Sequence, residues 1–188
     1  MKLIIGSLVG AIILFVWSAI SWTVSPIHAH TFQYTPAQDS VLKALALVDQ
    51  SGAYMLPAAD NNAPDFQKHE NDVRMANIGK PVAMLFLNKQ QYEMGGSTFL
   101  MGFLCNWVTA LLLCTLVTIA GGNTLSFGRR WAIAMIPGLI IIYAVWLVQW
   151  NWMGFPWSYL SGSVIDSLLE FAACGAWIGW WFGRTKKS

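Results

Sequence analysis

The chain has 188 residues, of which 56% are hydrophobic and only 11% are charged. Soluble domains contain about 25% charged residues, so this composition excludes an ordinary soluble domain and a disordered chain. The formal net charge is +2 and no basic patch is present, so we expect no nucleic-acid partner. Eleven tryptophans are typical of a protein that meets the lipid–water boundary. The composition therefore predicts a small integral membrane protein.

Four apolar stretches are long enough for membrane helices, which need about 20 residues each. They cover residues 1–24, 97–120, 131–150 and 160–183. Residues 25–94 form one long polar segment between the first two, and residues 95–188 hold the other three helices. We predict an all-α membrane fold, a four-transmembrane-helix bundle with a small α+β extracytoplasmic insert between helices 1 and 2.

The first stretch has an alternative interpretation as a secretory signal peptide. Ile27-His28-Ala29 is a tolerable cleavage site, and its use would remove residues 1–29. The apolar run from Leu3 to Val24 is longer than the 7–15 residues typical of such a signal. We expect an uncleaved helix, and cleavage remains the alternative.

Positive charge predicts the orientation, because Lys and Arg accumulate on the cytoplasmic side. The short turn over residues 151–159 carries no charge. The basic residues at the opposite membrane boundary are Lys2, Arg129, Arg130, Arg184, Lys186 and Lys187. We therefore expect both termini in the cytoplasm and residues 25–94 outside it.

The tryptophans then fall into two groups at the expected membrane boundaries. Their amphipathic rings suit the headgroup level, so each group is interpreted as an aromatic belt. The outer belt comprises Trp22, Trp150, Trp152 and Trp157, and the inner one Trp131, Trp180 and Trp181.

The polar insert is predicted to contain two helices and two short strands. Thr35 and Gln38 resemble a capping box, which places a helix start at Thr35. A second helix is predicted over residues 65–76, and strands are predicted over 52–57 and 80–88. Because these few short elements give only a thin core, we expect the insert to pack on the membrane helices or on a partner.

His28 and His30 are the paired residues of a type that binds metals. In an extended segment, residues i and i+2 point the same way, so both imidazoles could reach one ion. The alternative is two interfacial histidines at the end of a helix, and we expect no cofactor. Motifs for nucleophilic catalysis, zinc hydrolysis or phosphate binding are missing, so the sequence assigns no catalytic residue.

Asp166 and Glu170 are the most informative residues of the fourth helix. They lie four residues apart and therefore share one helical face. An acid at the centre of a membrane helix costs about 3 kcal/mol on insertion, so this helix needs polar neighbours. The expected spans contain no Lys or Arg, so we expect no salt-bridge partner within the chain. Asn106 lies at the depth of Glu170, and we predict that the two approach each other.

Two functions of this acidic pair stay open. It is either a proton or cation site, or a buried polar cluster that fixes helix packing. On a different face of the same helix, Gly175, Gly179 and Gly183 form a series that permits close approach of another helix.

Several short motifs resemble a family of small four-helix bacterial inner-membrane proteins. They are a tryptophan-rich first helix, His-x-His, Phe-Gln-Tyr-Thr-Pro-Ala-Gln-Asp, Tyr-Met-Leu-Pro, Gly-Lys-Pro and the Gly-Ala-Trp-Ile-Gly-Trp-Trp tail. The resemblance implies a bacterial inner-membrane location. It implies no activity, cofactor or catalytic residue.

Three functional hypotheses follow. The first is an accessory or assembly subunit of a membrane complex, whose partners are the lipid bilayer and either other membrane subunits or a second copy of the chain. The alternative is a small oligomeric transporter or channel coupled to protons or cations through Asp166 and Glu170. The third is a membrane enzyme or redox component that uses His28 and His30, and we favour a protein that is not an enzyme.

Overall fold

The structure is a computed structural model that describes residues 1–91 and 93–184. It divides into two compact units, and the expected cytoplasmic residues Lys186 and Lys187 lie outside the described part. The first unit comprises Met1–Gln33 together with Met94–Ser188, and the second comprises Tyr34–Glu93. The second unit lies within the polar segment 25–94, and residues 25–33 of that segment belong to the first unit.

The described chain is mostly helical, with one small sheet. In chain order its elements are α1 (Lys2–Thr23), a 3₁₀ turn (Pro26–His28), α2 (Gln38–Leu45), β1 (Gly52–Leu56), α3 (Phe66–Ala76), β2 (Ala83–Leu87), α4 (Gly96–Ile119), a second 3₁₀ turn (Gly122–Thr124), α5 (Phe127–Ile141), a π-helical segment (Ile142–Trp146), α6 (Leu147–Met153) and α7 (Trp157–Gly183).

Three helical segments are long and apolar enough to cross a membrane. They are Lys2–Thr23, Gly96–Ile119 and the composite helix Phe127–Met153. In the described residues α7 is not among them, although it has 27 residues, and it carries Asp166 and Glu170.

The third predicted span begins earlier than expected, at Phe127 instead of Trp131. Ser126 is its N-cap, and its hydroxyl oxygen accepts a hydrogen bond from the Arg129 amide at 3.4 Å. Arg130 therefore lies inside the first turn of α5. It is buried, with 6% of its surface exposed, and is not a loop cation.

One hydrophobic core holds the first unit together. α1 packs against α4 and α7, and α5 packs against α7. Small residues let these helices approach closely: a Cβ added at Gly10 would lie 3.0 Å from the Ala110 Cβ and 3.2 Å from the Cys174 Sγ. The core side chains are Ala11, Leu14, Ala110, Leu113, Cys114, Val117, Ala134, Phe171, Cys174, Ile178 and Phe182.

Six tryptophans also donate hydrogen bonds between helices. Trp177 and Trp181 of α7 donate to the backbone oxygens of Gly6 and Lys2 in α1, at 2.8 and 2.9 Å. The other four pairs, in the same donor-to-acceptor order, are Trp17 to Asp166, Trp107 to Ser7, Trp131 to Ala172 and Trp146 to Ser167. Two residues of the expected inner belt, Trp131 and Trp181, thus have an interhelical role.

The second unit contains the predicted hairpin. β1 and β2 are antiparallel, with a register that runs from Gly52 opposite Leu87 to Leu56 opposite Ala83. Asp65 caps α3, the helix that was predicted over residues 65–76, and its side chain accepts a hydrogen bond from the Lys68 amide at 3.1 Å.

The predicted start of α2 at Thr35 is wrong. The helix begins at Gln38, and the Thr35 hydroxyl accepts a hydrogen bond from the Ala37 amide at 3.3 Å. Thr35 therefore stabilises the turn that precedes the helix, and Ala37 occupies the N-cap position without a side-chain cap.

None of the described residues of the second unit is fully buried. Several large apolar side chains are widely exposed, among them Leu47 (83%), Phe86 (73%) and Val82 (71%). The unit has the thin core that was expected from its few short elements.

Gly138 and Gly128 of α5 provide a matched test of the α5–α7 packing. A Cβ at Gly138 would lie 2.8–3.0 Å from three atoms of Phe171, whereas a Cβ at Gly128 has no neighbour within 4 Å. We expect Gly138→Ala to destabilise the protein by about 1–3 kcal/mol through overpacking. Gly128→Ala should be neutral or stabilising by up to about 1 kcal/mol, because alanine favours helix. Equal unfolding curves in detergent for the two variants would contradict this packing.

Candidate functional site

A buried carboxylate, Asp166, is the centre of a polar site between α1 and α7. Its Oδ1 accepts hydrogen bonds from Trp17 Nε1 at 3.1 Å and from Ser21 Oγ at 2.6 Å. Its Oδ2 lies 2.8 Å from His28 Nε2, an ion pair when the imidazole is protonated. The expectation that Asp166 has no salt-bridge partner within the chain is therefore wrong.

His28 reaches Asp166 because the chain turns back at the end of α1. Ser25 accepts a hydrogen bond from the Ile27 amide at 3.2 Å and so caps the turn Pro26–His28. The imidazole then lies against Gly162 of α7, where an added Cβ would be 2.6 Å from Nδ1. Only 5% of the His28 side chain is exposed. A glycine at position 162 is thus what admits the ring.

Two further side chains fix the orientation of the His28 ring. Thr31 Oγ1 lies 3.2 Å from Nδ1, and the Trp22 ring stacks on the imidazole with centroids 3.8 Å apart and planes 9° apart. Thr31 is itself buried, with 8% exposed. Both ring nitrogens therefore have a partner whether the imidazole is neutral or protonated.

The side chains around Asp166 are suited to its anionic form. A carboxylate accepts several hydrogen bonds, and here an indole, a hydroxyl and an imidazole are positioned to donate to it. Such a set of donors replaces the water that a carboxylate loses on burial.

Glu170, one turn further along α7, has a different partner from the one expected. Its Oε1 lies 3.0 Å from Ser18 Oγ, and the same hydroxyl is 3.0 Å from the Leu14 carbonyl oxygen. No hydrogen bond joins Glu170 to Asn106 in the part of the chain that the structure describes. Their predicted approach stays a prediction, and the observed hydrogen-bond partner of Glu170 is Ser18.

The partners of both acids come from one short stretch of α1. Trp17 and Ser21 are four residues apart and face Asp166, while Ser18 faces Glu170. Helical neighbours at this spacing share a face, as the two acids do on α7. The polar run Trp-Ser-Ala-Ile-Ser near the end of α1 was the sequence signal for this pairing.

The structure brings His28 to Asp166 and not to His30. His30 is exposed, and the described residues contain no group of three His, Cys, Asp or Glu side chains that could hold a metal ion. Both nitrogens of His28 are already paired. His28 is thus engaged in the Asp166 site, and this arrangement gives no support to a shared ion at His28 and His30.

The glycine series of α7 faces α5, on a side of the helix away from the acids. Cβ atoms added at Gly175 and Gly179 would lie 3.1 Å from the Ala134 Cβ and 3.3 Å from the Phe127 ring, and Gly183 faces the Arg130 guanidinium. The glycines thus make room for a neighbouring helix, as expected, and also for a buried arginine. The sequence analysis did not anticipate the buried arginine.

Arg130 uses this space to bind backbone carbonyls. Its Nε donates to the Gly179 oxygen at 2.6 Å, and its Nη1 donates to the Leu125 oxygen and to the Gly122 oxygen. The residue joins α5, α7 and the 3₁₀ turn between α4 and α5. It stabilises this end of the unit as a structural group.

The contacts of Asp166 also bear on the signal-peptide alternative. Trp17, Ser21 and His28 all precede Ala29. Cleavage after Ala29 would remove every one of these donors and leave a buried carboxylate unpaired.

Removal of His28 should be costly, since it leaves Asp166 short of one donor in a buried position. We expect His28→Ala to lower the free energy of unfolding by about 3–5 kcal/mol, as for other broken buried pairs. His30→Ala is the matched control, and as an exposed change it should stay within about 0.5 kcal/mol of the parent. Denaturant titration of the purified protein in detergent measures both.

The double variant His28→Leu with Asp166→Leu separates pairing from packing. Apolar replacement of both members of a buried pair is often neutral, so this variant should regain most of the stability that His28→Ala loses. A double variant that is less stable than His28→Ala would contradict the pairing.

No family model matches the chain, and no curated protein or solved structure matches it either. The resemblance to small four-helix bacterial inner-membrane proteins therefore remains an expectation. The arguments about function rest on the residues described above.

Proposed function

We propose that the chain is a multi-pass protein of the bacterial inner membrane that acts as an accessory or assembly subunit of a membrane complex. In this proposal α7 crosses the bilayer beside the three apolar spans, so both termini are cytoplasmic and residues 25–94 are extracytoplasmic. The packing of α7 against α1 and α5, with Asp166 turned inward, supports a fourth span.

The single observation that carries the subunit role is the incomplete core of the second unit. None of its described residues is buried, and apolar side chains such as Val82 and Phe86 are more than 70% exposed. A unit that cannot cover its apolar surface by itself gains stability when another surface covers it. We therefore place the contact with the partner subunit on this unit.

Within the second unit, the best candidate for this contact is a cleft between α3 and the ends of the two strands. Its volume is about 630 Å³. The apolar side chains that line it are Met55, Phe66, Val73, Ile78 and Val82. A partner's side chain in this cleft would contact its apolar surface and the polar side chains of Glu70 and Arg74.

A tagged native purification tests this function with two matched variants. Val82 lines the cleft, whereas Leu47, which is somewhat more exposed (83% against 71%), does not. After gentle extraction, we expect a near-equimolar partner with the parent chain and with Leu47→Asp. Val82→Asp should lose at least about tenfold in recovery, because a buried unpaired charge costs more than 1.4 kcal/mol. Recovery of the chain alone, or equal recovery from both variants, would contradict the proposal.

A second candidate function is transport of protons or cations, and the placement of Glu170 favours it. Glu170 is half-buried in α7, one turn from a carboxylate that already has three donors. Ionisable groups inside membrane helices commonly mark the path of an ion.

Reconstituted vesicles test the transport candidate. Glu170→Gln keeps the shape of the side chain and removes its ability to take up a proton. We expect uptake of protons or cations to fall by about 100-fold or more in this variant. Glu93→Gln, an exposed change in the second unit, is the control. Uptake that Glu170→Gln leaves intact would exclude this role.

A further inference from the structure

The hydroxyl of Ser18 is shared between two oxygen atoms. It lies 3.0 Å from the Leu14 carbonyl oxygen and 3.0 Å from Glu170 Oε1. A hydroxyl has one proton to donate, so it cannot satisfy a carbonyl and an ionised carboxylate together. When Glu170 is protonated, its own O–H donates to Ser18 and the Ser18 proton goes to Leu14. The Ser18 hydroxyl thus serves both forms of Glu170, as a donor to the ionised acid and as an acceptor from the protonated one.

Asp166, by contrast, is surrounded by hydrogen-bond donors. Its two oxygens face Trp17, Ser21 and His28, which are all placed as donors to an anion. The two acids are one turn apart on α7, with Cβ atoms about 5–6 Å apart. Two neighbouring carboxyls in contrasting surroundings are a common arrangement of a proton holder and a proton acceptor.

His28 lies between Asp166 and the exposed residues that follow the turn. Its Nε2 faces Asp166 and its Nδ1 faces Thr31, while Ala29 and His30 are exposed. An imidazole binds a proton at one ring nitrogen and releases a proton from the other. Its two ring nitrogens therefore connect the Thr31 hydroxyl, which lies beside these exposed residues, to the buried carboxylate.

We propose that His28 is the relay through which Glu170 exchanges its proton with water, by way of Asp166, at the end of the unit where α1 ends. A proton from water reaches Nδ1 by way of the Thr31 hydroxyl, which gives up its own proton as it takes one, and the Nε2 proton passes to Asp166 Oδ2. Asp166 then passes one proton to the ionised form of Glu170 and returns to its anionic form. In total, one proton enters from water and Glu170 binds one proton. Glu170 loses its proton by the same steps in reverse.

Few other titratable groups face this path. Among the described residues, α7 contributes Cys174 near Glu170, and α1 presents tryptophan and serine side chains. The relay deepens the transport candidate, since it names the proton as the ion and one end of the unit as its point of entry.

Infrared spectroscopy of the full chain in lipid nanodiscs tests the relay without a transport assay. The carbonyl stretching band of a protonated carboxyl group is assigned to Glu170 by its loss in Glu170→Gln. After transfer to D₂O, the shift of this band gives the rate at which deuterium replaces the proton. We expect His28→Gln to slow this exchange by about 100-fold or more, as for loss of a proton-transfer group. His30→Gln should exchange at the parent rate.

Two results would overturn the relay. One is a parent spectrum without a protonated carboxyl band that depends on Glu170, and the other is exchange in His28→Gln at the parent rate. If His28→Gln does not fold, Thr31→Val serves instead, because it removes the group at Nδ1 and leaves the His28–Asp166 contact. Exchange at the parent rate in Thr31→Val then overturns the relay.

The infrared experiment and the vesicle experiment test the relay and transport separately. Slow exchange in His28→Gln together with no uptake by the parent protein would keep the relay and exclude transport. Uptake that depends on Glu170, with unchanged exchange in His28→Gln, would keep transport and place the path elsewhere.

Discussion

A carboxylate within an otherwise apolar helix must receive hydrogen bonds from its neighbours, and the first unit is arranged around this requirement. Asp166 cannot be hydrated inside the packed helices, so Trp17 and Ser21 of α1 supply two donors and His28 supplies the third. The turn after α1, the glycine at position 162 and the close α1–α7 contact all serve this one group. An unsatisfied buried acid would cost several kcal/mol, which exceeds the contribution of any single apolar side chain here.

The interhelical tryptophans apply the same principle more widely. Apolar packing inside a membrane is weakly directional, because lipid tails are as apolar as the helices themselves. An indole N–H that donates to a neighbouring helix fixes both rotation and height, as Trp177 does at Gly6 and Trp131 at Ala172. Arg130 does the same with backbone carbonyls at the C-terminal end of α7. The helix register thus depends on a few directional bonds within a core of interchangeable apolar contacts.

Local features of the chain were predictable and distant pairings were not. Apolar runs, the helix over 65–76 and the two strands are properties of neighbouring residues, so their positions agree with the structure within a few residues. The partner of Asp166 lies 138 positions away, and no local pattern connects the two. Depth alone suggested Asn106 for Glu170, but depth says nothing about the direction in which a side chain points. Thr35 failed as a cap because its hydroxyl is already used in the preceding turn.

The long separation between α1 and α7 has a consequence for biogenesis. The acid-bearing helix emerges from the ribosome after α1, and Trp17 is made 149 residues before the Asp166 that it binds. If α7 inserts as the proposed fourth span, two acids at about 3 kcal/mol each nearly cancel its apolar drive to leave the translocon. If α1 waits nearby in the bilayer, its indole and hydroxyl groups lower that cost at the moment of insertion. The N-terminal helix would then act as an intramolecular chaperone for the C-terminal one.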